Sequence, residues 1–221
     1  VNQTNRKKLQ QFISELVKQE GLPPNSVFAI ETAFLLWQTE MTHDQILSQK
    51  PKPSVQQLAN ISHVFMGFNG VLTNNKVYFS AKGEASFRCD RSDVIGIRQL
   101  KSIGKYVGII SSDNNAVVEN AASLLELEST TGCIDKALYL RDWMKTHNVD
   151  PSRVAFVGSA LHDLGVMQQV GLKLCTADAN PEVMAVADYV LPKLGGEGVI
   201  REVSDLFRID LSEPSLTRDF L

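Results

Sequence analysis

Cysteine is scarce in this 221-residue chain, and the three present, Cys89, Cys133 and Cys175, stand alone. No C-x-x-C spacing joins them, so neither a zinc site nor a disulfide framework is indicated, and an odd number of isolated thiols suits a reducing compartment. Long apolar runs are also missing. Nothing approaches the roughly 18 apolar residues of a membrane span, and no apolar core of a secretory leader stands at the start, so a cytoplasmic protein without a membrane partner is expected. Positive charge is not in excess: 22 lysines and arginines face 25 aspartates and glutamates, for a net charge of −3. With no basic run either, a nucleic-acid partner is not expected. Repeats and low-complexity segments are absent. The first residue is Val1 rather than Met, which suggests that more chain lies upstream.

What is present suits one domain with an extension. A hydrophobic content of 43% is enough for a sizeable core. The cluster Pro51-Lys52-Pro53-Ser54 divides the chain, giving a helical N-terminal extension over residues 1–50, a linker over 51–60, a main domain over 61–210 and a tail over 211–221. Within the main domain, short apolar runs at 64–66, 107–110, 154–157, 172–175 and 189–191 read as buried parallel strands. Helical patterns at 93–103, 115–125, 135–146 and 161–170 lie between them. That alternation predicts an α/β doubly wound parallel sheet with helices on both faces, and ligands in such sheets bind at the carboxyl ends of the strands.

The extension has its own pattern. Leu9, Phe12, Ile13, Leu16 and Val17 share one helical face, and Gly21 with Pro23-Pro24 stops that helix. A second helix over 27–37 is apolar nearly all round, and Thr42 with Gln45 resembles a capping box opening a third. Two readings stand: packing on the main domain, or a subunit or partner interface.

The landmarks that carry chemistry come in order. Gly67-Phe68-Asn69-Gly70-Val71 follows the first strand, Ser111 ends the strand at 107–110, Lys136 opens a helix, and Gly158-Ser159-Ala160-Leu161-His162-Asp163 follows the strand at 154–157. Their order and setting resemble the four motifs of the haloacid dehalogenase superfamily of phosphatases, over roughly residues 62–207. Its small, capless branch includes 3-deoxy-manno-octulosonate 8-phosphate phosphatase and the C-terminal domain of animal CMP-sialic acid synthetase. Similar to that branch are the hairpin-like stretch 76–87, the segment 93–98, the run 170–179 and the Gly-Gly-x-Gly stretch within 195–202. The resemblance implies a Rossmannoid sheet with a β-hairpin flap. It also implies a homo-oligomer, in the branch a tetramer packed through the hairpin.

The same resemblance implies what each position should do. The family's first motif reads D-x-D-G-V/T. The first Asp attacks phosphorus, which requires a carboxylate, but Gly67 has no side chain. The second Asp serves as acid and base, and Asn69 cannot exchange a proton. Magnesium favours carboxylate and water oxygens, yet a ligand position of the fourth motif is Ser159, beside Ala160, leaving Asp163 as the acid that is kept. Losing roles that act as one unit predicts a site stripped of catalysis.

Ser111 and Lys136 match the phosphate-holding residues. They either bind an anion without metal, or cap a turn and sit on a solvated helix face. Asp113 and Glu197 stand where relatives often carry basic residues and would repel a phosphate. Asp93 matches a pocket-side aspartate of the branch, or else serves as a first-turn dipole partner. His63 and His162 flank the first and fourth motifs, where a lone histidine is more often structural than catalytic. Trp143 reads as core.

The leading expectation is therefore a non-catalytic phosphatase-like domain that oligomerises or docks to a partner within acidic-sugar metabolism. It would have no cofactor, and its partner would be a second copy or a protein held through the N-terminal helices. The alternatives are a sugar-phosphate or nucleotide-sugar sensor using Ser111 and Lys136, and a weak magnesium-dependent sugar-phosphate phosphatase.

Overall fold

The computed structural model describes residues 50–82, 85–114 and 116–208. The expected helices of the N-terminal extension and the tail lie outside the described residues. The sheet is parallel, in the order β5-β4-β1-β6-β7-β8, built from β1 (His63–Met66), β4 (Tyr106–Ile110), β5 (Glu128–Thr130), β6 (Val154–Gly158), β7 (Leu172–Cys175) and β8 (Tyr189–Val190). The chain builds from β1 outward to β5 and then crosses back to lay β6 on the other side of β1. The topological switch point, where open α/β sheets bind ligands, therefore lies at the carboxyl end of β1.

Side chains alternate across the sheet because successive residues of a strand point to opposite faces. Val64, Met66, Val107, Ile109, Ala155 and Val157 share one core cluster, and it is covered by Ile97, Leu100, Val118, Val203 and Phe207. These belong to α2 (Arg91–Ser102), α3 (Ala116–Leu124) and α7 (Val199–Arg208). Phe65, Ile110, Val154 and Phe156 share the opposite cluster with Leu140, Met144, Met167 and Val183. Those covering residues come from α4 (Lys136–Thr146), α5 (Leu164–Met167) and α6 (Pro181–Val186). Both faces are buried, which explains why the strands read as continuous apolar runs.

Within the expected linker over 51–60, residues 55–60 are helical. Ser54 and Gln57 form a reciprocal capping box that starts α1 (Val55–Asn60), and Leu58 is buried in the core. Lys50, ahead of α1, is tied to the end of α6 by donating to the carbonyls of Ala185 and Ala187 at 2.8 and 2.5 Å. The hairpin is present as antiparallel β2 (Tyr78–Phe79) and β3 (Ala85–Ser86), with Phe79 73% exposed. Among the described residues no helix is long and apolar enough to cross a membrane.

Candidate active site at the carboxyl end of the sheet

Gly67 leaves β1 with its N–H on the carbonyl of Val157, so the turn that follows is pinned to the neighbouring strand β6. Gly70 takes φ +76°, and a Cβ there would collide with the Ser159 hydroxyl. The tight turn thus needs glycine for conformation and for space. Ser159 donates to the Asn69 carbonyl at 3.1 Å, joining the loops after β1 and β6. The loop before α7 closes on the same turn, the Gly196 N–H donating to the Val71 carbonyl at 2.9 Å, while the Gly195 N–H donates to Asp178, past β7, at 2.9 Å.

The centre of the site is an ion pair. Lys136 Nζ lies 2.7 Å from Asp163 Oδ1, with side chains 3% and 2% exposed. The expected solvated face for Lys136 is therefore corrected: the first residue of α4 points inward, because the Asp163 carboxylate offers its charge a buried partner. The other carboxylate oxygen, Asp163 Oδ2, accepts the N–H groups of Ser159 and Ala160 at 2.9 and 3.1 Å. His162 Nε2 stands 3.8 Å from Asp163 Oδ1 and is half exposed. Burial, with Lys136 adding to it, lowers the His162 pKa, while Asp163 and Asp113 pull it back up.

On the other wall, Asn69 donates its amide N–H to Asp113 Oδ2 at 2.5 Å, and the Asp113 N–H donates to the Ser111 hydroxyl at 3.2 Å. Ser111 is buried at the end of β4, and this bond is the turn cap anticipated for it. The link from Asn69 to Asp113 was not foreseen from sequence. Asp113 is two residues past a strand end with no periodic signal, and only the fold brings it to position 69.

Asp93 lies elsewhere in the architecture. It is 1% exposed, and its Oδ1 accepts the N–H groups of Ile200 and Arg201 at 2.8 and 3.1 Å, capping the first turn of α7 rather than its own helix. Its Oδ2 is buried without a hydrogen-bond partner. Burial pushes this carboxyl up to about 6, against the two amides, which favour the charged form. Glu197 is exposed. His63 stands at the amino end of β1, with ring centroids 5.3 Å from Tyr106 and 5.6 Å from Trp143, so it does not flank the site. Trp143 packs edge-on to Phe65 at 4.9 Å, as a core residue would.

Position 67 has room. A Cβ there would lie 3.8 Å from both Asp163 Oδ2 and Lys136 Nζ, an ordinary contact distance, and its backbone at φ −69° and ψ 163° suits any residue. A magnesium ion would need several oxygen ligands in near-octahedral array. Both Asp163 oxygens are engaged, Asp113 is turned to the Asn69 amide, and among the described residues no three His, Cys, Asp or Glu side chains are grouped to share an ion. The donor set does not fit a divalent metal.

The family profile of the haloacid dehalogenase-like hydrolases matches residues 94–203. The 3-deoxy-D-manno-octulosonate 8-phosphate phosphatase KdsC of Yersinia pestis is 33% identical over 153 residues, covering 69% of this chain and 82% of the relative. The crystal structure of the Yersinia pestis phosphatase superposes with a TM-score of 0.68 at 32% identity, covering 71% of this chain and 85% of that one. The phosphatase of Moraxella catarrhalis, solved with magnesium ion, phosphate ion and KDO, gives 0.68 at 26% identity, over 71% and 90% of the two chains. These relationships overturn the expectation of a non-catalytic domain serving assembly or docking, since relatives matched over most of their length bear the name of a phosphatase. Sequence and fold together place the chain in the haloacid dehalogenase-like hydrolases, where it belongs beside the 3-deoxy-octulosonate 8-phosphate phosphatases.

Proposed function

We propose that this chain is a slow sugar-phosphate phosphatase acting on an acidic sugar of the 3-deoxy-octulosonate class. The observation that carries the reading is the buried pair of Lys136 and Asp163 at the carboxyl end of the sheet, in a chain one-third identical to phosphatases of that name. An ammonium has three donors, and the bond to Asp163 directs Lys136 into the site, so a phosphate is held there as by a point charge. The Ser111 hydroxyl at the end of β4 supplies a second polar contact.

Gly67 offers no atom for a covalent phosphoryl intermediate. Hydrolysis here is direct: a water oxygen bonds to phosphorus, the ester P–O bond breaks, and the sugar alcohol leaves with a proton. Asp113 and His162 are the groups able to move that proton. Burial, with Lys136 adding to it, lowers the His162 pKa and so favours the neutral imidazole that a base requires. Without the covalent step, turnover is slow.

A panel of phosphate monoesters tests the reading. Enzyme-dependent phosphate release is expected from 3-deoxy-octulosonate 8-phosphate in preference to glucose 6-phosphate, and it should fall in Lys136→Ala. A second reading, recognition of the same sugar phosphate without turnover, is favoured by one observation, the missing side chain at position 67. Thermal stabilisation by the sugar phosphate, lost in Lys136→Ala and accompanied by no phosphate release, would select it.

A further inference from the structure

We infer that Lys136 is the resident cation of this site and that the chain binds no divalent metal there. The inference rests on the assignment of the carboxyl end of the sheet as the site, but not on turnover. A divalent ion needs carboxylates that are available to it. Asp163 is not available: Oδ1 holds the Lys136 ammonium at 2.7 Å, and Oδ2 accepts the N–H groups of Ser159 and Ala160 at 2.9 and 3.1 Å. An ion at this carboxylate would have to displace a buried ammonium carrying charge of its own sign.

The other walls give no compensation. Gly67 contributes no side chain, Ser159 spends its hydroxyl on the Asn69 carbonyl at 3.1 Å, and Asn69 meets Asp113 with an amide N–H rather than an oxygen. A hydrogen-bond network centred on Asn69 thus joins the loops after β1, β4 and β6, between which an ion would otherwise sit. Steric closure is not the reason, because a Cβ on Gly67 would sit 3.8 Å from Asp163 Oδ2 and 3.8 Å from Lys136 Nζ without a clash. Missing oxygen donors, and a lysine already in place, are the reason.

Thermal unfolding and calorimetric titration of the purified chain with MgCl2, against NaCl of equal ionic strength, give a readout independent of activity. The expected result is equal melting temperatures, no saturable heat, and no change with EDTA. A saturable magnesium-dependent rise in melting temperature that disappears in Asp163→Asn would overturn the inference. The variant Gly67→Asp/Ser159→Asp returns two carboxylates and is expected to acquire such a rise; if it folds and stays unresponsive, the donor argument is wrong. Should the double variant not fold, the titration of the parent chain decides by itself: no saturable shift supports the inference, and a saturable shift overturns it. Failure to release phosphate leaves this result untouched, and a metal-dependent shift leaves the phosphatase reading untouched.

Discussion

Asp93 shows how a single buried carboxylate makes stability depend on pH. Its folded pKa of about 6 lies above the ordinary value of 3.8, so between those values the folded protein holds a proton that the unfolded chain has released. Stability from this group is therefore greatest below about pH 4, falls as pH rises through about 6, and is flat beyond. The shift corresponds to about 3 kcal/mol at most. Asp93→Asn should remove this component, so the change in unfolding free energy between pH 5 and pH 7, measured by urea titration, should differ between variant and parent. Identical pH profiles would show that the carboxyl is not titrating in this range.

Gly70 makes a sharper case at the same scale. Gly70→Ala meets both a left-handed φ and the Ser159 hydroxyl, and should cost roughly 1–3 kcal/mol in chemical denaturation. A neutral result would mean that the turn after β1 readily adopts another shape.

Among the elements, α1 is the one whose contribution is easiest to isolate. Its capping box and its buried Leu58 fasten residues 54–60 to the sheet face covered by α7. Leu58→Ala should destabilise by roughly 2–4 kcal/mol through the cavity it leaves, and Ser54→Ala by about 1 kcal/mol through the lost cap. Equal, negligible effects in urea unfolding would show that α1 is not part of the cooperative unit.

The Ser54 and Gln57 pair was readable in the sequence, but the prolines before it drew the stretch toward a linker. β5 was missed for a different reason. Glu128-Ser129-Thr130 pairs with β4 alone at the sheet edge, so no apolar run is required of it. The central strands, buried on both faces, were legible for the opposite reason. The pattern at 161–170 reads as one helix, yet it forms a short turn at Leu161–Asp163 before α5, because Asp163 is turned inward to Lys136.

For the whole molecule, the fold and the place of the site were legible because a doubly wound sheet puts its strand ends at one rim and the motif residues follow those ends. The pairing within the site was not. Lys136 and Asp163 are 27 residues apart and Asn69 and Asp113 are 44 apart, and nothing in either spacing announces contact. The carboxylates missing at Gly67, Asn69 and Ser159 point away from catalysis, whereas the kinship to phosphatases covers 69% of the chain. The most direct test of the proposed turnover is a time course of inorganic phosphate released from 3-deoxy-octulosonate 8-phosphate by the purified chain and by Asp163→Asn prepared identically. Slow release proportional to protein concentration, lost in Asp163→Asn, is the predicted result. No release above the protein-free blank, or release undiminished in Asp163→Asn, would contradict it.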